Sequence, residues 1–320
     1  CWRRRAQPSP ICHRCLPLSE GEGIVAVPTV DGLRHTLAVV EELGSIVHTM
    51  KALAAASVRQ YEKAVTALTD YDRAVRWALA VMLREVTESA NLVFDSPLRG
   101  SQTLTGVIVF GSDHGLCGRF NEVLAAYVAE SLRTMLTDCC RMAVVGVRQA
   151  AALAERGLAS EQQFYTPGAA SAIQHTVRQL LPVLEQWRIA GMTHLCLFHN
   201  RHHGGNSHEP ARVALLPLNP VALCSETPTI SRSLPGYAAD RAEVLAALLR
   251  EWFFVELFRA CAESLTSEHA SRLLAMQTAE RNITDRLVEL NNAYRQQRQE
   301  AITSELLDVI AGFEALAGSR

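Results

Sequence analysis

The chain has 320 residues, 48% of them hydrophobic and 20% charged, which is typical of a globular protein with room for two domains. Its 31 basic and 33 acidic side chains nearly cancel, and this balance argues against bulk binding to nucleic acid or anionic lipid. The longest apolar runs, such as Trp252 to Val255, are interrupted by charges far short of the roughly twenty residues that a membrane span needs.

The first thirty residues show no helical or strand periodicity. They combine three consecutive arginines with several prolines, and no methionine precedes Met50. The expectation is that residues 1–30 are a disordered or spurious extension upstream of a start near Val25 to Val30. Mass spectrometry that found an intact Cys1 in the native protein would contradict it.

The nine cysteines follow no framework spacing, which predicts reduced thiols and a cytoplasmic location. Cys12 and Cys15 have the spacing of half a zinc site, but the second half is missing. No metal site and no cofactor is therefore predicted.

Residues 31–95 are predicted to form one long helix, because the span from Leu33 to about Leu92 has no proline and one interior glycine. Alternating steps of four and three residues trace a heptad seam through Leu33, Leu37, Val40, Gly44, Val47, Lys51, Ala54, Val58, Tyr61, Val65, Leu68, Asp72, Val75, Leu79 and Met82. Only Gly44, Lys51 and Asp72 interrupt the apolar series. Such a seam predicts a coiled coil.

Residues 96–236 change to alternating strands and helices. Strands are predicted at 106–111, 141–146, 193–199 and 212–218, and helices at 121–136 and 169–187. Two apolar strands joined by a helix favour a right-handed parallel crossover. The middle of the chain is therefore predicted to be a small α/β domain with a mainly parallel sheet.

The glycine-rich turn at 111–121 allows three interpretations. It can cradle a phosphate at a helix start, although it fits neither GxGxxG nor the P-loop. Cys117, with His114 nearby, can be a nucleophile. The third interpretation, which we favour, is that the glycines permit a tight turn and close packing of helix on sheet.

Residues 237–320 contain no proline and only two glycines, which predicts a second long helix. Its apolar residues recur at three-and-four spacing, at Leu273, Met276, Ile283, Leu287, Leu290, Tyr294, Ile302, Leu306, Val309 and Phe313. Because one long helix enters the middle domain and the other leaves it, the predicted fold is α/β, with an antiparallel coiled coil of terminal helices and an inserted α/β domain.

Several segments resemble the gamma subunit of F-type ATP synthases. Ser112, Asp113, Gly115, Leu116, Cys117, Gly118 and Asn121 match its SDxGLCGxxN motif. Four further segments also match the family, at residues 49–57, 215–218, 267–276 and 298–306. All five segments occur in the family's order along the chain. The residues around Met50 and the alanine-rich stretch after them are most similar to the divergent N-type branch of these synthases.

The resemblance implies a central stalk subunit without catalytic residues, which couples ion flow to ATP synthesis or hydrolysis. It implies one copy per complex, at the cytoplasmic face of the bacterial inner membrane. Its implied partners are the alpha and beta subunits, the epsilon subunit and the membrane c-ring. The residues implied to contact partners are Met50, Lys51, Arg272, Arg298, Gln299, Thr303 and Glu305.

Two rival functions remain at this point. One is an α/β enzyme that uses Cys117 and His114 and is oligomerised by its helices, although Asp113 is poorly placed to orient the histidine. The other is a free-standing coiled-coil scaffold.

The histidine-rich loop 199–208 is expected to be an exposed connection between strands, with a transition-metal site as the alternative. The coupling ion is not encoded in this chain.

Overall fold

The computed structural model describes residues 29–89, 104–135, 139–202, 208–218, 236 and 240–317. The helices are α1 Val30–Ser89, α2 Phe120–Thr134, α3 Val147–Ala154, α4 Ile173–Ile189 and α5 Arg241–Ala317. The strands are β1 Leu104–Phe110, β2 Cys139–Val145, β3 Gln162–Phe164, β4 Met192–His202 and β5 His208–Leu216. Residues 1–28 of the predicted extension at 1–30 lie outside the described residues, and Val30 begins α1.

Helices α1 and α5 pack antiparallel, as predicted. Contacts that ascend along α1, from Lys51 through Tyr61 to Arg76, descend along α5, from Glu280 through His269 to Glu256. Every position of the predicted heptad seam is buried or half-buried. The seam is therefore the surface on which α1 meets the rest of the chain.

The three residues that interrupt the seam all contact α5. A Cβ atom added at Gly44 would lie 3.4 Å from Ile283. Lys51 pairs with Glu280 at 2.6 Å, and Asp72 forms an ion pair with Arg259. These departures from the apolar pattern are thus specific interhelical contacts, which fix the register of the two helices.

The inserted domain contains a five-stranded sheet in the order β3-β2-β1-β4-β5. The first four strands are parallel, and β5 is antiparallel to β4. The predicted parallel crossover between the first two strands is confirmed.

The sheet carries a separate core on each face, because neighbouring strand residues point to opposite sides. Residues such as Val107 and Val109 pack with α2 and α3. Residues such as Ile108 and Phe110 belong to the larger core, which includes α4 and both long helices. One face of the sheet is therefore covered in part by α1 and α5.

The chain divides into two compact units. One comprises residues 40–287, and the other contains the described residues 29–39 of α1 and 288–317 of α5. The predicted segment boundaries near residues 95 and 236 fall beside stretches outside the described residues, and they stay predictions.

Two elements of the middle domain were not predicted. Helix α3 follows β2 immediately, and its run of alanines gives it helical propensity without a long apolar pattern. Strand β3 has three residues, two of them polar. Other differences are shifts of element ends: β5 begins at His208, and a 3₁₀ turn at Ala170–Ala172 precedes α4.

Candidate functional site

The turn after β1 is held by its own side chains. Asn121 accepts a hydrogen bond from the Ser112 amide at 3.1 Å and donates to the Ser112 hydroxyl at 2.8 Å. That hydroxyl donates to the His114 carbonyl at 3.0 Å. Leu116 and Gly118 both have positive φ, of 63° and 62°. The motif residues therefore fold back tightly between β1 and α2.

Asp113 ties this turn to two neighbouring connections. Its Oδ1 accepts from the Val147 amide at 2.8 Å, at the start of α3. Its Oδ2 accepts from the Thr166 amide at 2.7 Å and from the Thr166 hydroxyl at 2.8 Å. Gly146 is essential to this approach, because a Cβ atom there would lie 2.7 Å from the Ser112 nitrogen. The interpretation of the glycines in the turn is supported at Gly118, which has a positive φ, and at Gly111, where a Cβ atom would collide with the Gln149 side chain.

The environment of Cys117 disfavours a nucleophile. Its side chain is buried, and the thiol lies 3.7 Å from the main-chain carbonyl of His114. Burial raises the pKa of the Cys117 thiol, whereas nucleophilic cysteines have a lowered pKa. This geometry favours a structural thiol over the rival enzyme site.

Three serines of α5 dock on the carboxyl edge of the sheet. Ser264 donates to the carbonyl of Phe110, the last residue of β1, at 3.0 Å. Ser267 donates to the Asn200 carbonyl in β4 at 2.9 Å, and Ser271 donates to the Cys117 carbonyl in the turn at 2.7 Å. We call these three hydrogen bonds the serine joint. They occupy the edge at which open α/β sheets commonly bind ligands.

Arg272 continues this contact in a buried ion pair. Its guanidinium lies 2.6 Å from Glu268 and 3.4 Å from the Gly115 carbonyl. Burial raises the pKa of the Glu268 carboxyl. Beside the pair, the His269 ring stacks on the Tyr61 ring of α1, with ring centroids 5.4 Å apart. Burial of the imidazole, together with the nearby Arg272 charge, lowers the pKa of His269 to about 4. The implied contact of Arg272 with a partner stays a prediction, and within this chain the arginine neutralises a buried acid.

Met50 and Lys51 lie on α1 and are both half-buried. Lys51 pairs with Glu280, and His48 lies 3.2 Å from the same carboxylate. Hydrogen bonds from Lys51 and His48 hold the pKa of Glu280 below its usual value. The Lys51 charge is thus balanced within the chain, and a role in partner contact stays a prediction.

The last predicted contacts lie near the end of α5. Arg298, Gln299, Thr303 and Glu305 are all exposed, and the Thr303 hydroxyl donates to the Gln299 carbonyl. The same part of the helix exposes large apolar side chains: Ile302, Leu306, Leu307, Val309, Ile310 and Phe313. We call residues 302–313 the bare end of α5.

The histidine-rich loop is described only at its ends. His199 is buried and lies 2.9 Å from Glu263, and His202 and His208 face each other across the β4–β5 pair. Residues 203–207 lie outside the described residues. In the described part of the chain, no group of three His, Cys, Asp or Glu side chains is placed to hold a metal ion.

The serine joint was not predicted from the sequence. A signal was present, because Ser264, Ser267 and Ser271 recur at three-and-four spacing in α5. That spacing places them on one face of the helix. Their acceptors are main-chain carbonyls, which a sequence pattern does not reveal.

Comparison with known proteins agrees with this fold. A family model described as ATP synthase matches residues 29–316. The chain therefore belongs to the ATP synthase family.

More particularly, relatives that it matches are ATP synthase gamma chains, which confirms the predicted resemblance to the gamma subunit. The chain is 26% identical over 295 residues to the ATP synthase gamma chain of Rhizobium rhizogenes, covering 91% of this chain and 100% of that one. It is 27% identical over 301 residues to that of Brucella anthropi, with coverage of 91% and 100%.

Solved structures share the fold. A chain of the Euglena gracilis mitochondrial ATP synthase, in the OSCP/F1/c-ring structure of rotational state 3, matches with a TM-score of 0.63 and 18% identity. That match covers 91% of this chain and 96% of the other. A chain of the central stalk/c-ring structure from Tetrahymena thermophila matches with a TM-score of 0.53 and 18% identity, covering 73% and 99%.

Proposed function

We propose that this chain is the central stalk subunit of a rotary F-type ATP synthase. It couples ion flow through the membrane ring to ATP synthesis or hydrolysis in the alpha/beta hexamer. The subunit itself contributes no catalytic group. It works in one copy per complex, and it sits peripherally at the cytoplasmic face of the bacterial inner membrane.

The observation that carries this proposal is the contrast along the apolar side of α5. Met276 and Leu290 are 4% and 5% exposed, whereas Ile302, Val309 and Phe313 are 49%, 58% and 71% exposed. Large apolar side chains clustered on one surface mark an interaction site. The bare end of α5 therefore fits a surface that is enclosed by partner subunits, here the alpha/beta hexamer.

The α/β domain suits attachment to the membrane ring and to the epsilon subunit. The α/β domain presents a folded body beside both long helices, and none of the described helices is long and apolar enough to cross a bilayer. Rotary coupling then follows from asymmetry, because contacts of the stalk differ among three otherwise equivalent nucleotide sites and bias each in turn.

Affinity capture of the full chain from its native membranes tests this function. The expected result is recovery of alpha and beta subunits in a fixed 3:3:1 ratio with this chain, together with ATPase activity that the chain alone lacks. Recovery of the chain without these subunits would contradict the proposal. A free-standing scaffold predicts that second outcome.

A further inference from the structure

The α/β domain is joined to the two long helices covalently through residues 90–103 and 219–240. Its noncovalent connections are the large core and a set of polar contacts that includes the serine joint. The core contact is apolar, with Leu79, Val255 and Leu265 among its members. Apolar contact holds two bodies together but is non-directional. Hydrogen bonds, in contrast, require a defined distance and angle. Orientation of the domain on α5 thus depends on the polar contacts.

Three of those polar contacts lie in a row on α5, and they are made by the serines. The others include the pairs of Glu263 with His199 and Arg201, the contact of Arg272 with the Gly115 carbonyl, and the hydrogen bond from Tyr61 to the Pro167 carbonyl. Ser264, Ser267 and Ser271 are 2%, 0% and 8% exposed, so water does not compete for their acceptors. The three acceptor carbonyls belong to three separate segments: the end of β1, strand β4 and the turn at Cys117. Asn200 extends the joint, since its side chain donates to the Phe120 carbonyl at the start of α2 at 3.1 Å.

We infer that the hydroxyls of Ser264, Ser267 and Ser271 are positioning groups for rotary coupling, which lock the α/β domain to α5 so that both turn as one body. This inference rests on the proposed function. Without the hydroxyls, the domain stays attached through the apolar core and the Glu263 and Arg272 contacts, but its orientation on α5 is less tightly fixed. Torque delivered at the domain then reaches the bare end of α5 incompletely.

The test uses the complete synthase in sealed vesicles, with the triple variant Ser264→Ala, Ser267→Ala, Ser271→Ala. ATP hydrolysis and the membrane potential that it generates are recorded together, so that the identity of the coupling ion does not matter. Each buried hydrogen bond changes an equilibrium constant by roughly fivefold, and three together by about a hundredfold. The expected result is a severalfold lower potential-generating rate per ATP hydrolysed, while hydrolysis itself continues.

Thr266→Val is the matched control. Thr266 is also buried, but its hydroxyl donates to the Ala262 carbonyl within the same helix, at 2.8 Å. The control loses a buried hydroxyl without touching the joint and should retain wild-type coupling. If the triple variant fails to assemble, the pairwise variant Ser264→Ala, Ser271→Ala is measured in its place. Thermal unfolding of each complex identifies variants that act by loss of stability alone.

Wild-type coupling in an assembled triple variant would overturn the inference, as would an equal loss in Thr266→Val. Those outcomes are separate from failure of the proposed function. If the wild-type chain does not assemble with alpha and beta subunits, the function is wrong. If the wild-type chain assembles but the serine substitutions leave coupling unchanged, the proposed function is retained and the serine joint has no role in coupling.

Discussion

Two stretches of helix α5 have opposite surroundings, although both carry apolar residues at similar spacing. Between Ser264 and Leu290 one face of the helix is sheathed by the chain itself. Met276 and Leu290 are buried there, and Ser264 and Glu280 bond to the sheet edge and to α1. Between Ile302 and Phe313 the apolar residues face outward. The difference shows that apolar periodicity marks a surface that must be covered, but does not say whether the cover is internal or a partner. Substitutions that behave differently in the two stretches test this division.

The largest effect is expected from Arg272, in the sheathed stretch. Arg272→Met removes the cation from a pair whose two side chains are 9% and 5% exposed and leaves Glu268 buried without its partner. The expected loss in free energy of unfolding is about 3–5 kcal/mol, measured by urea unfolding of the full chain. Arg298→Met, in the exposed stretch, should change that free energy by less than about 0.5 kcal/mol. Similar losses at the two arginines would contradict the division.

Removing both charges distinguishes the cost of leaving an unpaired carboxylate buried from the cost of changing the side-chain packing. The double variant Glu268→Leu, Arg272→Met has no buried charge left, so it should recover much of the stability lost in Arg272→Met. Failure to recover would show that shape at this position, and not the unpaired acid, sets the cost.

Acid should weaken the sheathed stretch through His269. Its pKa is about 4 in the folded chain against 6.5 ordinarily, because burial and the Arg272 charge disfavour the imidazolium. The unfolded chain therefore binds the proton first, and stability falls as the pH falls from about 6.5 to about 4, by on the order of 3 kcal/mol. The measurement is unfolding free energy against pH for wild type and for His269→Phe, which keeps a ring against Tyr61.

The raised pKa of Glu268 acts in the opposite sense. Because this carboxyl protonates more readily in the folded chain, it adds stability as the pH falls, and the wild-type curve sums this effect with those of the other shifted groups. The difference between wild type and His269→Phe isolates the histidine. Parallel curves for the two proteins would remove His269 as the acid-sensitive group.

Phe313 should matter for the complex and not for the isolated chain. Its side chain is 71% exposed, so Phe313→Ser should leave the unfolding free energy within about 0.5 kcal/mol. Burial of a phenylalanine in an interface contributes about 1.5–3 kcal/mol, so affinity for the alpha/beta ring should fall about tenfold to a hundredfold. Leu290→Ser is the matched control, because Leu290 is 5% exposed and its loss should destabilise the free chain.

The smallest effect concerns Lys51 in its half-exposed pair. Lys51→Met should raise the pKa of Glu280 toward its ordinary value, since the Lys51 hydrogen bond is the largest cause of the lowering. A titration of Glu280 followed by NMR measures the shift, which should shrink at high salt in the wild type. Lys63→Met, at an exposed position of the same helix, should leave the Glu280 titration unchanged.

Much of the fold is predictable because its elements carry strong periodic patterns. The seam from Leu33 to Met82 is covered at every predicted position, and strands β1 and β2 contain the buried apolar runs 107–110 and 142–145. Strand β3 has too few apolar residues for a pattern, and it exists because Ala143 and Val145 offer it a paired edge. Such pairing depends on the neighbouring strand in the folded chain, and local sequence does not predict it.

The candidate site was predictable only in part. The turn at Ser112–Asn121 is recognisable from its residues, and the exposure of Arg298 and Glu305 agrees with a polar helix surface. The burial of Arg272 was not foreseen, because a charged residue on a helix gives no sign of its partner until Glu268 and the Gly115 carbonyl are in place. The serine joint depends on main-chain acceptors brought together by the fold.

Side-chain footprinting with hydroxyl radicals tests the central claim most directly. The free full chain and the chain assembled with alpha and beta subunits are labelled side by side, and oxidation is compared at Met276, Leu290, Leu306 and Phe313. The account predicts low labelling of Met276 and Leu290 in both samples, and labelling of Leu306 and Phe313 that is strong in the free chain and suppressed in the complex. Equal labelling of Leu306 and Phe313 in the two samples would contradict it.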